Sequence, residues 1–250
     1  MKITTLLKKS LLSPTETEII ISQALKKDRS YITAFPETEL SKPQIKKLSR
    51  LLERRKTQEP IPYLLGFKEF FGLKFLVNKN VLIPRPETES LVERILKFTK
   101  GNKLSVVDVG TGSGCIAITL ALKNPNLKIT ATDISSKALE VAIKNSKLHR
   151  VENRIIFLQS NLLENVTEKI DIIAANLPYI PNTSWKKLPT EIKSFEPKLA
   201  LDSGKSSTSI YQQIFKQAVK KLNSKGVIFY ELDGEIIQVS ADDLAEIPQE

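Results

Sequence analysis

The chain has 250 residues, of which 41% are hydrophobic and 26% charged, with a formal net charge of +10, one cysteine and one histidine. This composition is typical of a globular protein with one large or two small domains, expected in the cytoplasm, and no apolar run is long enough to span a membrane. The single cysteine excludes an internal disulfide framework, and with only one histidine beside it no metal site is expected.

The sequence pattern of residues 1–56 predicts helices. The stretches 13–16 and 41–44 each combine a capping serine, an early proline and a glutamate or glutamine three residues after the serine, which is typical of a helix start. The second helix carries a basic stripe: Lys42, Lys46, Arg50 and Arg54. The positive charge favours an anionic partner such as nucleic acid, and this stripe is one possible contact with RNA, although a solvated helix face explains it more simply.

The region from residue 57 to residue 80 is interpreted as a connector with short strands. Pro60 and Pro62 argue against regular structure at its start. A proline-rich segment, 81–89, then leads into a helix predicted over 90–99. We predict that residues 1–75 form a small helical domain with this connector and that residues 76–250 form a second domain.

From residue 103 the pattern changes to alternating strands and helices. The predicted strands cover 104–109, 127–132, 154–159, 170–175 and 226–232, and the predicted helices between them cover 115–122, 136–148 and 210–222. Apolar, β-branched strands that alternate with amphipathic helices indicate a parallel sheet covered on both faces. The second domain is therefore expected to be a Rossmann-like α/β fold.

A glycine-rich turn follows the first strand of this pattern. Residues 106–117 read Val-Val-Asp-Val-Gly-Thr-Gly-Ser-Gly-Cys-Ile-Ala, and the glycines let the backbone turn sharply beside a ligand. Dinucleotide sites use G-x-G-x-x-G with a pyrophosphate at the helix start, whereas this loop has G-x-G-x-G after an aspartate. That variant suits a ligand without phosphate, such as S-adenosylmethionine, with Asp108 near its ammonium group. The predicted contacts in the loop are Asp108, Gly110, Thr111, Gly112 and Gly114.

The ends of the next two strands supply further predicted cofactor contacts. Asp133 ends the second strand, where an acidic residue can accept hydrogen bonds from both ribose hydroxyls; the structural alternative is an aspartate that caps the next helix. Asn161 follows the third strand, at the place where adenine is usually held, and can serve the adenine amino group.

The turn Asn176-Leu177-Pro178-Tyr179 follows the fourth strand, at the sheet edge where open α/β folds bind ligands. An amide or exocyclic amino nitrogen is a poor nucleophile because its lone pair is delocalised. The Asn176 side-chain oxygen and the Pro178 carbonyl can each accept one N–H and aim such a nitrogen at a methylsulfonium, while Tyr179 stacks on the planar group. The turn predicts methylation of a planar nitrogen, although alone it is explained as well by a strand-ending turn.

Several further segments resemble the release-factor glutamine methyltransferases, the PrmC or HemK family. They are Arg54-Arg55 with Glu59-Pro60-Ile61, the stretch 66–70, Leu82-Ile-Pro-Arg-Pro-Glu-Thr-Glu89, and Phe195-Glu196-Pro197 followed by Ala200-Leu201. The resemblance extends to about residue 232 and covers most of the chain.

This resemblance implies a class I S-adenosylmethionine-dependent methyltransferase domain with a seven-stranded sheet, and an N-terminal helical domain that helps to grip a peptide chain release factor. It implies methylation of the glutamine in the Gly-Gly-Gln tip of that factor by a chain expected to be monomeric. The segment 82–86 would close over both ligands. Cofactor contacts in it are Pro84, Arg85 and Pro86, and the acceptor contacts are Leu82, Asn176, Leu177, Pro178 and Tyr179.

Several departures from the family pattern are visible, including a glycine-poor loop at 202–207. Leu177 stands where the best-known form has proline, which is expected to matter little because the proposed contacts come from its neighbours. Glu231-Leu232-Asp233-Gly234 is one residue longer than the family's Glu-x-Gly. After Gly234 no convincing pair of strands is predicted, so the final β-hairpin is expected to be missing or divergent, which would leave a sheet edge uncovered.

Two alternatives remain open. The same turn can hold an adenine amino group of RNA or DNA, with Tyr179 stacking on a flipped base, although the N-terminal half has no obvious motif that reads nucleic acid. The other alternative is a relative that binds the cofactor but has reduced activity because of its short C-terminal region. Cys115 is interpreted as a small apolar helix residue, and His149 as a surface residue at a helix end.

Overall fold

The computed structural model describes residues 1–246, so residues 247–250 of the predicted second domain lie outside the described residues. The chain divides into two compact units, and the boundary in the sequence lies between Gly66 and Phe67. The sequence prediction put this boundary after residue 75, but the hairpin at 67–76 buries Phe70 and Phe75 in the core of the second unit. No helix among the described residues is long and apolar enough to cross a bilayer.

The N-terminal unit is helical, as predicted. Its helices are α1 (Ile3–Lys9), α2 (Pro14–Leu25), α3 (Arg29–Ala34), α4 (Lys42–Lys56) and α5 (Ile61–Leu65). Both predicted capping boxes are present, because Ser13 and Ser41 accept the backbone N–H of Glu16 and Gln44, respectively. These bonds satisfy donors that would otherwise be unpaired at the helix starts.

Helix α5 corrects the expectation of irregular structure around Pro60 and Pro62. Pro60 is its N-cap and Pro62 lies in its first turn, where a missing N–H removes no intrahelical hydrogen bond. On α4, Lys42, Lys46 and Arg50 are exposed, whereas Arg54 forms an ion pair with Glu59. Contact between this basic face and nucleic acid stays a prediction.

The second unit combines a hairpin with a larger α/β sheet. Its strands are β1 (Phe67–Phe70), β2 (Leu73–Leu76), β3 (Ser105–Val109), β4 (Lys128–Asp133), β5 (Ile155–Gln159), β6 (Ile170–Ala175), β7 (Ile180–Pro181), β8 (Asp202–Gly204), β9 (Leu222–Leu232) and β10 (Glu235–Ser240). Its helices are α6 (Glu87–Thr99), α7 (Cys115–Lys123), α8 (Ser136–Leu148), α9 (Thr190–Phe195), α10 (Ser209–Lys221) and α11 (Ala241–Glu246). The five predicted parallel strands and the helices between them are therefore confirmed, with small shifts at their ends.

The main sheet has six strands in the order β10-β9-β6-β3-β4-β5, and every pair is parallel except β10 with β9. Neighbouring strand residues point to opposite faces: Val106 belongs to the core beneath α6 and α7, whereas Val107 belongs to the core that contains residues of α10. Both faces are thus covered by helices, as predicted for a Rossmann-like α/β fold.

In the described part of the chain a single strand, β10, follows Gly234, where no convincing pair of strands was predicted. It pairs antiparallel with β9 across the tight turn at Asp233 and Gly234, both of which have positive φ angles. Asp-Gly is a strong hairpin signal, but Ile236 and Ile237 are adjacent and so break the alternation by which a strand is recognised. Among residues 1–246 the sheet has six strands instead of the seven implied by the resemblance, and β10 covers the edge of β9.

Strand register brings the predicted site residues together. Val109 lies opposite Thr132 on one side and opposite Ala175 on the other. Gly110, Asp133 and Asn176 directly follow Val109, Thr132 and Ala175, so all three lie at one edge of the sheet. Parallel α/β sheets bind ligands at this edge because their loops leave a crevice there.

Candidate active site

Two cavities open at the carboxyl edge of the sheet, with volumes of about 420 Å³ and about 150 Å³. The glycine loop and Asp133 line the larger cavity, whereas Tyr179 and Glu231 line the smaller one. Residues that line both are Leu82, Arg85, Asn176, Leu177 and Ala200. The side chain of Asn176 therefore lies where the two cavities meet.

The glycine loop has a backbone that other residues adopt only with strain. Gly110 and Gly114 have φ angles of +72° and +81°. A Cβ atom on Gly110 would lie 2.9 Å from the Cδ2 atom of Leu177, and one on Gly114 would lie 3.3 Å from the Cα atom of Ala142. The first glycine thus lets the turn 176–179, called the acceptor turn after its predicted role, approach the loop, and the second lets α8 pack against the start of α7.

Asp108 lies beneath this loop and is fully buried. One carboxylate oxygen accepts hydrogen bonds from the Thr111 hydroxyl at 2.6 Å and from the Ala117 N–H at 3.1 Å. Asp108 is not among the residues that line either cavity, whereas Thr111 lines the larger one. The structure therefore gives Asp108 the role of bracing the loop, and its predicted contact with the cofactor ammonium group stays a prediction. Burial raises the pKa of its carboxyl group to about 7.

We expect Asp108→Asn to reduce the pH dependence of the free energy of unfolding. The unfolded carboxyl has a pKa of about 3.9, so the folded state keeps a proton that the unfolded chain loses as the pH rises. The stability from this proton is complete below the unfolded pKa and is lost as the pH rises through the folded pKa. Between about pH 5 and about pH 8 the variant should therefore lose about 2 to 3 kcal/mol less stability than the wild type. Urea unfolding at both pH values, without cofactor, measures this; equal losses in the two proteins would contradict it.

Asp133 is held with both carboxylate oxygens in defined positions. Its Oδ2 atom accepts the Gly112 N–H and its Oδ1 atom accepts the Ser135 N–H, each at 2.9 Å. Each carboxylate oxygen can accept a further hydrogen bond, and burial raises the pKa of this carboxyl group. The N-cap of α8 is Ser135, which accepts the Ala138 N–H, so helix capping does not account for Asp133.

Three other residues singled out from the sequence have simpler surroundings. Asn161 lines the larger cavity, and its Nδ2 atom donates to Glu164 at 2.7 Å. Burial raises the pKa of the Cys115 thiol to about 12, so this thiol is protonated at neutral pH and is not a nucleophile. A ring nitrogen of His149 lies 2.8 Å from the Lys74 carbonyl oxygen, which ties α8 to β2.

The segment 82–86 is fastened by a carboxylate that the sequence prediction assigned no role. The side chain of Glu196 is 1% exposed. Its carboxylate accepts a hydrogen bond from the Arg85 guanidinium at 2.5 Å and another from the Ile83 N–H at 3.0 Å. Leu82, Pro84 and Arg85 line the larger cavity. Pro86 is exposed and precedes α6; it is not among the residues that line this cavity.

The acceptor turn is supported by residues from three elements. The Nδ2 atom of Asn176 donates to Thr88 and to Glu231, each at 2.8 Å. The Leu177 N–H donates to the Tyr211 hydroxyl at 3.1 Å, and that hydroxyl in turn donates to the Glu231 carbonyl. The sequence prediction included none of these partners; Thr88 and Glu231 lay within quoted motifs, and Tyr211 carried no local signal.

The hydrogen bond from Leu177 gives this position a role that the sequence prediction did not include. We expect Leu177→Pro to cost about 1 kcal/mol of stability, because proline cannot donate to Tyr211. In a Tyr211→Phe background the same change should cost less, since the acceptor is already gone. Denaturant unfolding of the two single variants and the double variant measures this coupling, with Leu177→Met as a control that keeps the N–H. Additive costs would contradict the proposed bond.

The residues of the larger cavity fit S-adenosylmethionine. Its volume of about 420 Å³ lies in the range of small-molecule sites. The bare glycine backbone allows close approach of a ligand, and the Asp133 carboxylate has unused acceptor capacity for the two hydroxyls of a ribose.

Each of the two units contains a region that matches a known protein family. Residues 2–66 match the PrmC N-terminal domain, and residues 86–188 match the methyltransferase small domain. The release factor glutamine methyltransferase of Flavobacterium psychrophilum is 41% identical over 205 residues, covering 79% of this chain and 71% of that protein. The enzyme of the same name from Enterococcus faecalis is 40% identical over 206 residues, covering 82% of this chain and 74% of that protein.

A longer relative matches as well. The bifunctional methyltransferase of Rickettsia bellii is 36% identical over 245 residues. This match covers 87% of the present chain but 44% of the relative, so the chain spans less than half the length of that protein.

Proposed function

We propose that this chain, which belongs to the release factor glutamine methyltransferase family, methylates the side-chain amide nitrogen of a glutamine in a peptide chain release factor. Its cofactor is S-adenosylmethionine, which when bound supplies an electrophilic methyl group on a positively charged sulfur. The observation that carries the proposal is the position of Asn176, which lines both cavities. A methyl donor in one cavity and an amide in the other would meet at this side chain.

The larger cavity would hold the cofactor. Asp133 would accept the two ribose hydroxyls with the lone pairs that Gly112 and Ser135 leave unused. The backbone of the glycine loop would lie against the ligand, and Asn161 would accept an amino proton of the adenine. Arg85 and Leu82 line both cavities and would exclude water between donor and acceptor.

The smaller cavity would hold the glutamine amide. An amide nitrogen carries two protons. The Asn176 Oδ1 atom would accept one where the two cavities meet, and the carbonyl of Pro178, which lines the larger cavity, would accept the other. The nitrogen would gain the methyl group as the carbon–sulfur bond of the donor breaks, with S-adenosylhomocysteine as the other product, and would then release one of its two protons to water. Positive charge that develops on this nitrogen strengthens both hydrogen bonds, so they stabilise the transition state more than the ground state. Tyr179 lines this cavity and would stack on the planar amide. Proximity and orientation supply much of the remaining rate.

The first test is methyl transfer from labelled S-adenosylmethionine to a purified release factor. The expected result is label on the wild-type factor and none on a factor whose Gly-Gly-Gln glutamine is replaced by alanine, with the modified residue located by mass spectrometry. The matched acceptor is RNA, because the same turn can hold an adenine amino group. Label on RNA with none on the factor would replace the proposal by adenine methylation. Cofactor binding without transfer to either would favour a non-catalytic relative.

A second arm tests whether the acceptor must be a protein. The N-terminal unit matches the PrmC N-terminal domain, and we propose that it contacts the release factor outside the glutamine loop. A free Gly-Gly-Gln tripeptide should therefore be methylated far less efficiently than the whole factor. Equal kcat/KM for the two acceptors would contradict a role of this unit in recognition.

A further inference from the structure

The side-chain amide of Asn176 is held at its nitrogen end by two acceptors. Its Nδ2 atom donates to the Thr88 hydroxyl oxygen and to the Glu231 Oε2 atom, both at 2.8 Å. The Thr88 hydroxyl itself donates to the same Glu231 oxygen at 2.6 Å. The three groups form a closed triangle in which Nδ2 donates to both acceptors.

This triangle allows only one orientation of the amide. The two ends of an asparagine amide have nearly the same shape, so its hydrogen-bond partners decide which end points where. When ionised, the Glu231 carboxylate only accepts, and Thr88 donates its one proton to it. If the amide turned over, its oxygen would face two acceptors without a proton between them. The Nδ2 end therefore faces Thr88 and Glu231, and the Oδ1 end faces away from them.

The oxygen end of the amide has no hydrogen-bond donor among the described residues. Within residues 1–246, no group donates a hydrogen bond to the Asn176 Oδ1 atom. Thr88 and Glu231 are only 3% exposed, so their hydrogen bonds to Asn176 lie in a largely buried environment, where such bonds are stronger than in water. The arrangement thus presents one acceptor atom from a side chain whose other end is fully bonded.

The fold brings the three residues together through strand register and one helix start. Ala175 of β6 lies opposite Tyr230 of β9, so the next residues, Asn176 and Glu231, lie side by side. Thr88 reaches them from the first turn of α6. The Glu231 backbone is held in turn by the buried Tyr211 hydroxyl.

We propose that Glu231 and Thr88 are positioning residues for methyl transfer, which lock Asn176 with its Oδ1 atom toward the acceptor nitrogen. This inference rests on the proposed function, because it names what orients the residue placed there against the amide. The pair also polarises the Asn176 amide: donation to a carboxylate increases the negative charge on Oδ1, which makes it a stronger acceptor as the reacting nitrogen becomes positive. The effect should therefore appear in kcat more than in the binding of either ligand.

Two substitutions separate orientation from simple packing. Glu231→Gln keeps the shape but can donate its own N–H to Asn176, which permits the turned-over amide. Thr88→Val keeps the volume but removes the hydroxyl, which leaves one buried Nδ2 proton without an acceptor. Thr88→Ser restores the hydroxyl and serves as the matched rescue variant.

The kinetic experiment measures kcat and KM for purified release factor, and Kd for S-adenosylhomocysteine by calorimetry. We expect Glu231→Gln and Thr88→Val to lower kcat by about 10- to 100-fold. We expect KM and Kd to change by less than about threefold, and Thr88→Ser to retain most of the wild-type kcat. Unchanged kcat in both variants would overturn the proposal. A parallel loss of cofactor binding and melting temperature would also overturn it, in favour of a structural role.

A second readout needs no turnover. In ¹⁵N-labelled protein, the Asn176 side-chain NH₂ signal, assigned by its absence in Asn176→Ala, should be protected from solvent exchange in the wild type and in Thr88→Ser. It should lose this protection in Thr88→Val. Equal exchange in all three proteins would overturn the lock. Failure of the proposed function is seen separately, since wild-type enzyme would then transfer no label to release factor while the NMR comparison still tests the lock.

Discussion

Asn176→Ala is expected to lower kcat for release factor methylation by about 100- to 1000-fold, the cost of removing one preorganised acceptor of developing charge. The side chain lies where the two cavities meet, and its Oδ1 atom is the acceptor that the triangle with Thr88 and Glu231 presents. Cofactor affinity should change by at most about tenfold, because no more than one hydrogen bond to the cofactor is lost. Single-turnover transfer of labelled methyl groups, with S-adenosylhomocysteine binding measured in parallel, checks both numbers.

The matched control is Asn182→Ala. Asn182 is exposed and is not among the residues that line either cavity, so its loss should leave kcat and cofactor affinity close to wild type. A similar fall in kcat for both variants would mean that the region, and not the Asn176 amide, determines the rate. An Asn176→Ala enzyme with wild-type kcat would remove the basis of the proposed acceptor site.

Asp133→Ala is expected to raise the Kd of S-adenosylhomocysteine by at least about 100-fold, because two hydrogen bonds from a ribose to a charged acceptor would be lost. Asp133→Asn keeps one acceptor oxygen and should have an intermediate effect of about 10-fold. At saturating cofactor the kcat of Asp133→Asn should fall much less than its affinity, since the ribose is distant from the transferred methyl group. Isothermal titration calorimetry of wild type and both variants measures the series.

Asp242→Ala is the charge-matched control for this series, because Asp242 is an exposed carboxylate on α11. It should bind S-adenosylhomocysteine as the wild type does. If Asp133→Ala bound the cofactor product with wild-type affinity, Asp133 would have only its local role of accepting the Gly112 and Ser135 N–H groups.

The larger cavity was the more predictable half of the site. Its main features are strand ends and the turns that follow them, and both have local sequence signals: apolar β-branched runs, a glycine turn and an acidic residue after the next strand. Parallel strands in register bring such ends to one edge of a sheet. Asp108 is the exception, because its place beneath the loop depends on the depth of packing, which a local pattern does not encode.

The support of the acceptor turn was not predictable from local pattern. Thr88, Asn176 and Glu231 come from a helix start and two strand ends, and the bond between Thr88 and Glu231 joins residues 143 positions apart. Tyr211 reaches Leu177 across 34 positions from the first turn of a helix. Glu196 likewise fastens the segment 82–86 across 113 positions. Such partners meet only after the sheet and its covering helices have packed.

By itself the sequence determined the helical N-terminal unit, the parallel α/β sheet, the cofactor class and the family, because capping boxes, strand periodicity and the glycine and Asn-x-Pro-Tyr turns all act over a few residues. It also carried the Asp-Gly turn that starts β10, although the adjacent Ile236 and Ile237 obscured the strand that follows. Only the tertiary structure decided which way the Asn176 amide faces. That choice is made by a buried carboxylate and a hydroxyl brought from distant positions, whose hydrogen-bonding roles leave the amide one stable orientation.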